Sequence, residues 1–318
     1  MILVLSSFKN TSSRGWAYLS LVSTAMFWGS NAVVARGLLN ELSPATLAFL
    51  RWGIALAALA PFVWHERHAM ISVLKRHPKI MLCLGATGFA PNALLSYFGL
   101  RGSTAILMGL MNSVVPVMVL LIVALWAKRL PKRLEAIGMT LSFLGVIGIL
   151  IRGDVHVLVN LHLSGFDLLV LLGLIVWAFY TVILIERPRD LTLPGFTFLA
   201  GILGFIMILP FVIFDWAGNG IPHLSAHQFG LAFYIALAPT LLSMLLFNFA
   251  VAVVGPVQSG IFTHLVPLFS AVFATVFIHE SLHVYHVVGF VLIVSGAILC
   301  CFKREASMVY RPPQKPTP

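Results

Sequence analysis

The chain has 318 residues, 60% of them apolar and only 9% charged, whereas a soluble domain carries about a quarter of charged residues, so a water-soluble fold is excluded on composition alone. A net charge of +10 would suggest a nucleic-acid partner in a soluble protein. In a chain this apolar, the placement of the cations matters more than their sum, and nucleic acid is not an expected partner.

The opening MILVLSSF is too short for the apolar region of a signal peptide, and no A-x-A cleavage site follows before the first long apolar run. The amino terminus is therefore expected to be retained. About 20 apolar residues are needed for a helix to cross a bilayer. Ten such runs follow one another, at 16–38, 43–64, 80–100, 103–126, 134–151, 166–185, 194–214, 228–253, 256–278 and 285–302, leaving almost no chain for a soluble domain. The three cysteines, Cys83, Cys300 and Cys301, all fall inside these runs and build no disulfide framework. If the ten runs are spans, sixteen lysines and arginines lie beside one face and only Arg36, Arg101 and Arg152 beside the other. Cytoplasmic loops collect such cations, so both termini are expected in the cytoplasm.

Sliding the chain on itself by 151 residues matches Phe98 with Phe249, Gly109 with Gly260, Pro116 with Pro267, Gly138 with Gly289, and Gly145 with Gly296. A shift of 149 aligns Trp28 with Trp177, and one of 150 aligns Pro44 with Pro194. The matched residues are helix-shaping glycine, proline and aromatics, so the expectation is two related five-helix halves, 15–152 and 165–303, followed by a cytoplasmic tail at 304–318. An odd number of helices per half inverts the second relative to the first. The expected fold is thus an all-α integral membrane protein of ten transmembrane helices in two inverted repeats. Two such halves can exchange conformations around a midplane site, which is alternating access.

With FWGSNAVVAR at 27–36, SPATLAFLRW at 43–52, NSVVPV and HLVPLF around Pro116 and Pro267, and VGFVLIVSGAIL at 288–299, the chain resembles the EamA-type ten-helix members of the drug/metabolite transporter (DMT) superfamily. The resemblance covers nearly the whole chain. It implies a secondary transporter of a bacterial inner membrane, exporting or exchanging amino acids, related metabolites or toxic analogues. It also implies a central cavity between spans one, three, four, six, eight and nine. One departure is that the apolar pair followed by Glu, frequent at the ends of spans four and nine, leaves Glu280 in the second half but Arg129 in the first.

Polar side chains inside hydrocarbon are costly unless they meet a partner or a wet cavity, which makes them the site candidates. Trp28 and Asn31 share one helix face in span one, as do Trp177, Tyr180 and Thr181 in span six. Asn92, Tyr97, Asn112 and Asn248 are further cavity candidates, with interhelical hydrogen bonding as the alternative role. His264, deep in span nine, either moves a proton or bonds a neighbouring helix. Arg51, eight residues into span two, reaches outward to the interface or attracts an anionic group. No Asp or Glu lies mid-span. Pro116 and Pro267 free backbone carbonyls within their spans and are hinge candidates, with a static kink as the alternative. Gly138, Gly145, Gly289 and Gly296 recur after seven residues, as close helix packing requires.

A rival from another class is carried by HESLH at 279–283, which matches the H-E-x-x-H pattern of a zinc hydrolase using His279, Glu280 and His283. It falls on the short turn between spans nine and ten and lacks an evident third ligand, so no metal or other cofactor is expected. No phosphate loop for nucleotide and no G-x-S-x-G elbow is present. A non-transporting sensor or scaffold is the remaining alternative. The expected partners are a small solute and membrane lipid.

Overall fold

A computed structural model describes residues 11–102, 111–126, 133–152, 154, 156–160, 164–278 and 284–301. Among the described residues the regular structure is entirely helical, the solution a chain adopts where no water satisfies its backbone. Six helical rods are long and apolar enough to cross a membrane: Pro44–Arg76, Pro78–Gly102, Arg133–Leu150, Gly165–Glu186, Leu193–Asn219 and Ala226–Val254. Val115–Trp126 and Val284–Leu299 are apolar but shorter.

Among the described residues the α-helices longer than four residues are, in chain order, α1 (Thr11–Leu39), α2 (Pro44–Val63), α3 (Arg67–Arg76), α4 (Pro78–Gly88), α5 (Ala90–Gly102), α6 (Val115–Trp126), α7 (Arg133–Leu150), α8 (Gly165–Ile183), α9 (Leu193–Asn219), α10 (Ala226–Ile235), α11 (Ser243–Val254), α12 (Pro256–Ile261), α13 (Leu265–Ile278) and α14 (Val284–Cys301). Local chemistry sets many of their starts. Ser43 caps α2 by accepting the Thr46 N–H (3.0 Å), and Thr192 caps α9 by accepting the Gly195 N–H (3.2 Å), each followed by a proline in the first turn. Ser164 with Asp167 and Ser225 with Gln228 form capping boxes on α8 and α10.

Several rods run beyond the apolar runs that announced them. The rod that begins at Pro44 continues past α2 through a single 3₁₀ turn into α3, RHAMISVLKR, with Met70 and Val73 buried. Backbone hydrogen bonding does not stop where hydropathy falls, and an amphipathic face is enough to carry the helix on.

Two helix pairs form seams. In one, α7 packs along α14 at very short range: a Cβ added to Gly145 would lie 2.7 Å from the Gly289 carbonyl oxygen, and one added to Gly296 would strike the Gly138 carbonyl. The Ser142 hydroxyl donates to the Ile293 carbonyl across this seam (3.0 Å). The glycines expected to pack helices closely therefore do so. In the other seam, α2 lies against α9, tied at both ends. At one end Glu66 accepts the Thr192 N–H (3.0 Å) and hydroxyl; at the other Asp215 accepts the hydroxyls of Ser43 and Thr46 (the latter at 3.3 Å). Between the seams, α1 packs on α11 and α13, whereas α8 packs on α5 and α6.

Candidate functional site

The centre of the bundle is aromatic. Trp28 of α1 meets Trp177 of α8 edge to face, with centroids 5.3 Å apart and planes at 81°. Phe247 of α11 lies 5.3 Å from both. Such ring pairs prefer tilted or edge contacts and fix one another's position. The cluster continues from Trp177 to Tyr180 (5.2 Å), from Tyr180 to Phe89 (5.7 Å) and from Phe89 to Trp52 (5.1 Å). Trp28 and Trp177 are half-buried, whereas Tyr180, Phe89 and Phe247 are buried.

The Trp28 indole N–H donates to the carbonyl of Pro239 (3.1 Å). That carbonyl belongs to a π-helical stretch, Ala236–Leu242, joining α10 to α11. A proline in the middle of a helix removes an N–H and crowds the preceding turn, and one wide turn absorbs both effects. Side-chain hydroxyls add donors around it: the Thr240 hydroxyl donates to the Ile235 carbonyl (2.7 Å), the Ser243 hydroxyl to that of Ala238 (3.0 Å), and Thr24 of α1 to that of Ser243 (3.4 Å). Hydropathy averages over this feature, although the string APTLLS, a mid-span proline followed by Thr and Ser, carries its signal.

Next to the rings lies a buried polar chain. The Tyr180 hydroxyl donates to Asn248 Oδ1 (2.8 Å), and the Asn248 amide donates to the Thr197 hydroxyl (3.2 Å). All three residues are at most 2% exposed, so the network joins α8, α9 and α11 without water. Thr197 and Phe247 escaped the sequence reading because a threonine near a helix start and one of 24 phenylalanines carry no distinguishing pattern.

The other candidates are placed as follows. Asn31 is half-buried one turn from Trp28, and its Oδ1 has no hydrogen-bond partner among the described residues. Thr181 is buried and back-bonds to the Trp177 carbonyl (2.9 Å). The Asn92 amide donates to the Gly173 carbonyl of α8 (2.6 Å), an interhelical contact of the kind weighed for it. Buried Tyr97 accepts from Arg51 Nη1 (3.0 Å), so Arg51 turns to α5 rather than out to the interface. Asn112 is half-buried, just before the turn at Ser113. His264 is 1% exposed, and its Nε2 lies 2.9 Å from the Ser113 carbonyl oxygen. Pro116 and Pro267 sit in the first turns of α6 and α13, each immediately after an interruption, a turn at Ser113 and Val114 and a 3₁₀ turn at Phe262–His264. The breaks precede the prolines because it is the carbonyl four residues earlier that loses its donor.

At one end of α8, Arg187 lies half-buried over the Phe196 ring (5.7 Å), and burial followed by the charge of Arg189 lowers its pKa from the ordinary guanidinium value. The HESLH stretch at 279–283 lies outside the described residues, as do residues 304–318 of the tail. A cavity of ≈ 700 Å³ opens elsewhere, between α1, α13 and α14, lined by Tyr18, Phe262, Phe269, Phe290 and Val294 among others. Val287, Phe290 and Ile298 on its rim are 45–59% exposed, so it faces outward from the bundle and holds none of the polar candidates.

A multi-pass α-helical bundle with a polar and aromatic centre between its helices defines a polytopic membrane protein. The EamA-like transporter family model matches residues 15–151 and again 165–302, and the chain belongs to that family, within the DMT superfamily. It is 23% identical over 282 residues to the uncharacterized transporter YyaM of Bacillus subtilis (strain 168), covering 88% of this chain and 92% of that protein. It is 24% identical over 295 residues to an uncharacterized transporter of Archaeoglobus fulgidus, covering 91% and 98%. A solved crystal structure shares its fold with a TM-score of 0.69 at 13% identity, over 89% of this chain and 95% of that one. The protein is accordingly a membrane transporter, and its family is one of carriers rather than enzymes.

Proposed function

We propose that the chain crosses a bacterial inner membrane ten times with both termini in the cytoplasm, as two inverted five-helix halves. It exports or exchanges small metabolites, such as amino acids, related compounds or toxic analogues, by alternating access. The solute site is built from Trp28, Asn31, Asn92, Tyr97, Asn112, Trp177, Tyr180, Thr181, Asn248 and His264, with Pro116 and Pro267 as hinges.

The observation that carries this reading is that residues paired by the sequence shifts touch one another. Trp28 meets Trp177, His264 meets the carbonyl of Ser113, and Ser142 meets that of Ile293. Contacts also exchange in pairs, Gly145 on Gly289 and Gly296 on Gly138, Glu66 on Thr192 and Asp215 on Ser43. A twofold axis in the membrane plane requires this pattern, and two matches to one family model accord with it.

In this topology Tyr180, Asn248 and Thr197 lie on the cytoplasmic side of the tryptophan pair and seal it, while Asn31 lies on the outer side and is half-buried. The inverted partner state exchanges these roles. The test is expression in cells challenged with a panel of toxic amino-acid and nucleobase analogues. The wild type is expected to raise resistance to at least one, and Trp28→Ala or Asn31→Ala, normally expressed, to remove it. Resistance unchanged in both variants contradicts the site. No flux of any labelled solute in proteoliposomes returns the protein to a sensor or scaffold.

A further inference from the structure

We propose that Arg51 is the anchor of an anion subsite, so that the transported solute carries an oxyanion, carboxylate or phosphoryl. This rests on the transporter reading above and narrows its substrate class. Arg51 lies eight residues beyond the Ser43 cap, roughly 12 Å along the helix from its start. A long cation at that depth ordinarily extends to the headgroups. Here it does not: Nη1 donates to Tyr97 Oη at 3.0 Å, and the guanidinium carbon stands 5.8 Å from the Tyr97 ring centroid.

That contact engages one of five N–H donors and supplies no negative charge. Arg51 Nε is buried with no hydrogen-bond partner among the described residues, and the one ion pair among them is His65 with Glu66. The carboxylates of this helix pair, Glu66 in the turn after α2 and Asp215 in α9, are spent elsewhere, Glu66 on Thr192 and Asp215 on Ser43, Thr46 and Asn219. A half-buried guanidinium that has no counter-charge among the described residues is stabilised most by an anion that takes two of its forked donors.

Arg51 is only half-buried, and its neighbours one turn to either side, Ala48 and Ala55, are small and buried. Tyr97 belongs to α5, the helix whose Asn92 reaches α8, so the guanidinium is held by a wall of the candidate site. Tyr97 thus acts as a positioning residue for Arg51.

The test uses the purified full-length protein in lipid nanodiscs, titrated with benzoate and phenyl phosphate against neutral benzamide, with thermal stabilisation and calorimetry as readouts. Benzoate or phenyl phosphate is expected to bind and benzamide not. Arg51→Gln is expected to weaken the anion about tenfold or more, the loss of a charge-assisted pair. Arg51→Lys should retain part of the affinity, and Tyr97→Phe should lower it less than Arg51→Gln does.

Should Arg51→Gln fail to fold, phenylglyoxal modification of Arg51 in the wild type replaces it, and benzoate but not benzamide is expected to slow the reaction. Anion binding no tighter than that of benzamide, or equal binding by Arg51→Gln, overturns the proposal. Undiminished flux of a neutral solute by Arg51→Gln proteoliposomes also overturns it, while leaving the transporter reading intact. Absence of all flux in the wild type, with anion binding retained, counts against the transporter reading and not against the subsite.

Discussion

Replacing Glu66 by alanine removes the acceptor for both the N–H and the hydroxyl of Thr192, the cap of α9. The Glu66 side chain is only 11% exposed, whereas Thr192 is exposed, so water replaces part of what is lost. Hydrogen bonds to a charged group contribute about 1.5–3 kcal/mol each, and partial rehydration of the cap brings the expected net loss to about 2–3 kcal/mol. Glu66→Gln keeps one acceptor and is expected to lose about 1 kcal/mol. Asp215→Ala breaks the reciprocal tie to Ser43 and Thr46 and is expected to match Glu66→Ala. The two ties lie roughly 35 Å apart along α2, so their effects should add to within about 0.5 kcal/mol. Thermal unfolding in detergent measures this, at about 2 °C per kcal/mol for a chain of this length. Each alanine variant is then expected to lower the midpoint by about 4–6 °C and the double variant by about twice that. A double variant no worse than either single one, or a Glu66→Ala midpoint within 1 °C of wild type, refutes the two-ended seam.

Three further perturbations follow from the packing. Asn248→Leu strands the buried Tyr180 hydroxyl and the Thr197 hydroxyl, an expected loss of about 1–3 kcal/mol in stability, which Tyr180→Phe in the same chain should partly recover. Gly145→Ala places a methyl 2.7 Å from the Gly289 oxygen and 2.9 Å from Leu292 Cβ. It is expected to destabilise by about 1–3 kcal/mol, whereas Gly148→Ala, with nothing within 4 Å, should be neutral or stabilising by up to about 1 kcal/mol. Trp28→Phe keeps the ring contacts but removes the donor to Pro239. It is expected to cost about 1 kcal/mol and to lower transport of whichever analogue the wild type exports, with expression unchanged.

The pairing of Trp28 with Trp177 and the glycine seam were legible because the repeat shift names both partners, and glycine and tryptophan are distinctive letters. Hydropathy alone marks the apolar runs, and six of the helical rods are long and apolar enough to cross a membrane. The π-helical turn at Pro239 was not legible, since a window average treats a mid-span proline as one residue among twenty. Glu66 and Asp215 carry no distinguishing sequence pattern, and only the fold reveals that each caps or ties the opposite helix. For Arg51, sequence could say only that a cation sits in a span. Which way it turns depends on Tyr97, a residue 46 positions away.

The claim on which the rest depends is that the two halves enter the membrane in opposite directions. Single cysteines at Arg76, Asn160, Arg189 and His223, introduced one at a time into a chain with its three native cysteines replaced by alanine, test it by labelling with a membrane-impermeant maleimide from either side of sealed vesicles. Arg76→Cys and Arg189→Cys are expected to react from the cytoplasmic side alone, and Asn160→Cys and His223→Cys from the opposite side alone. Labelling of Asn160→Cys and Arg189→Cys from the same face would contradict the inverted arrangement and the carrier built on it.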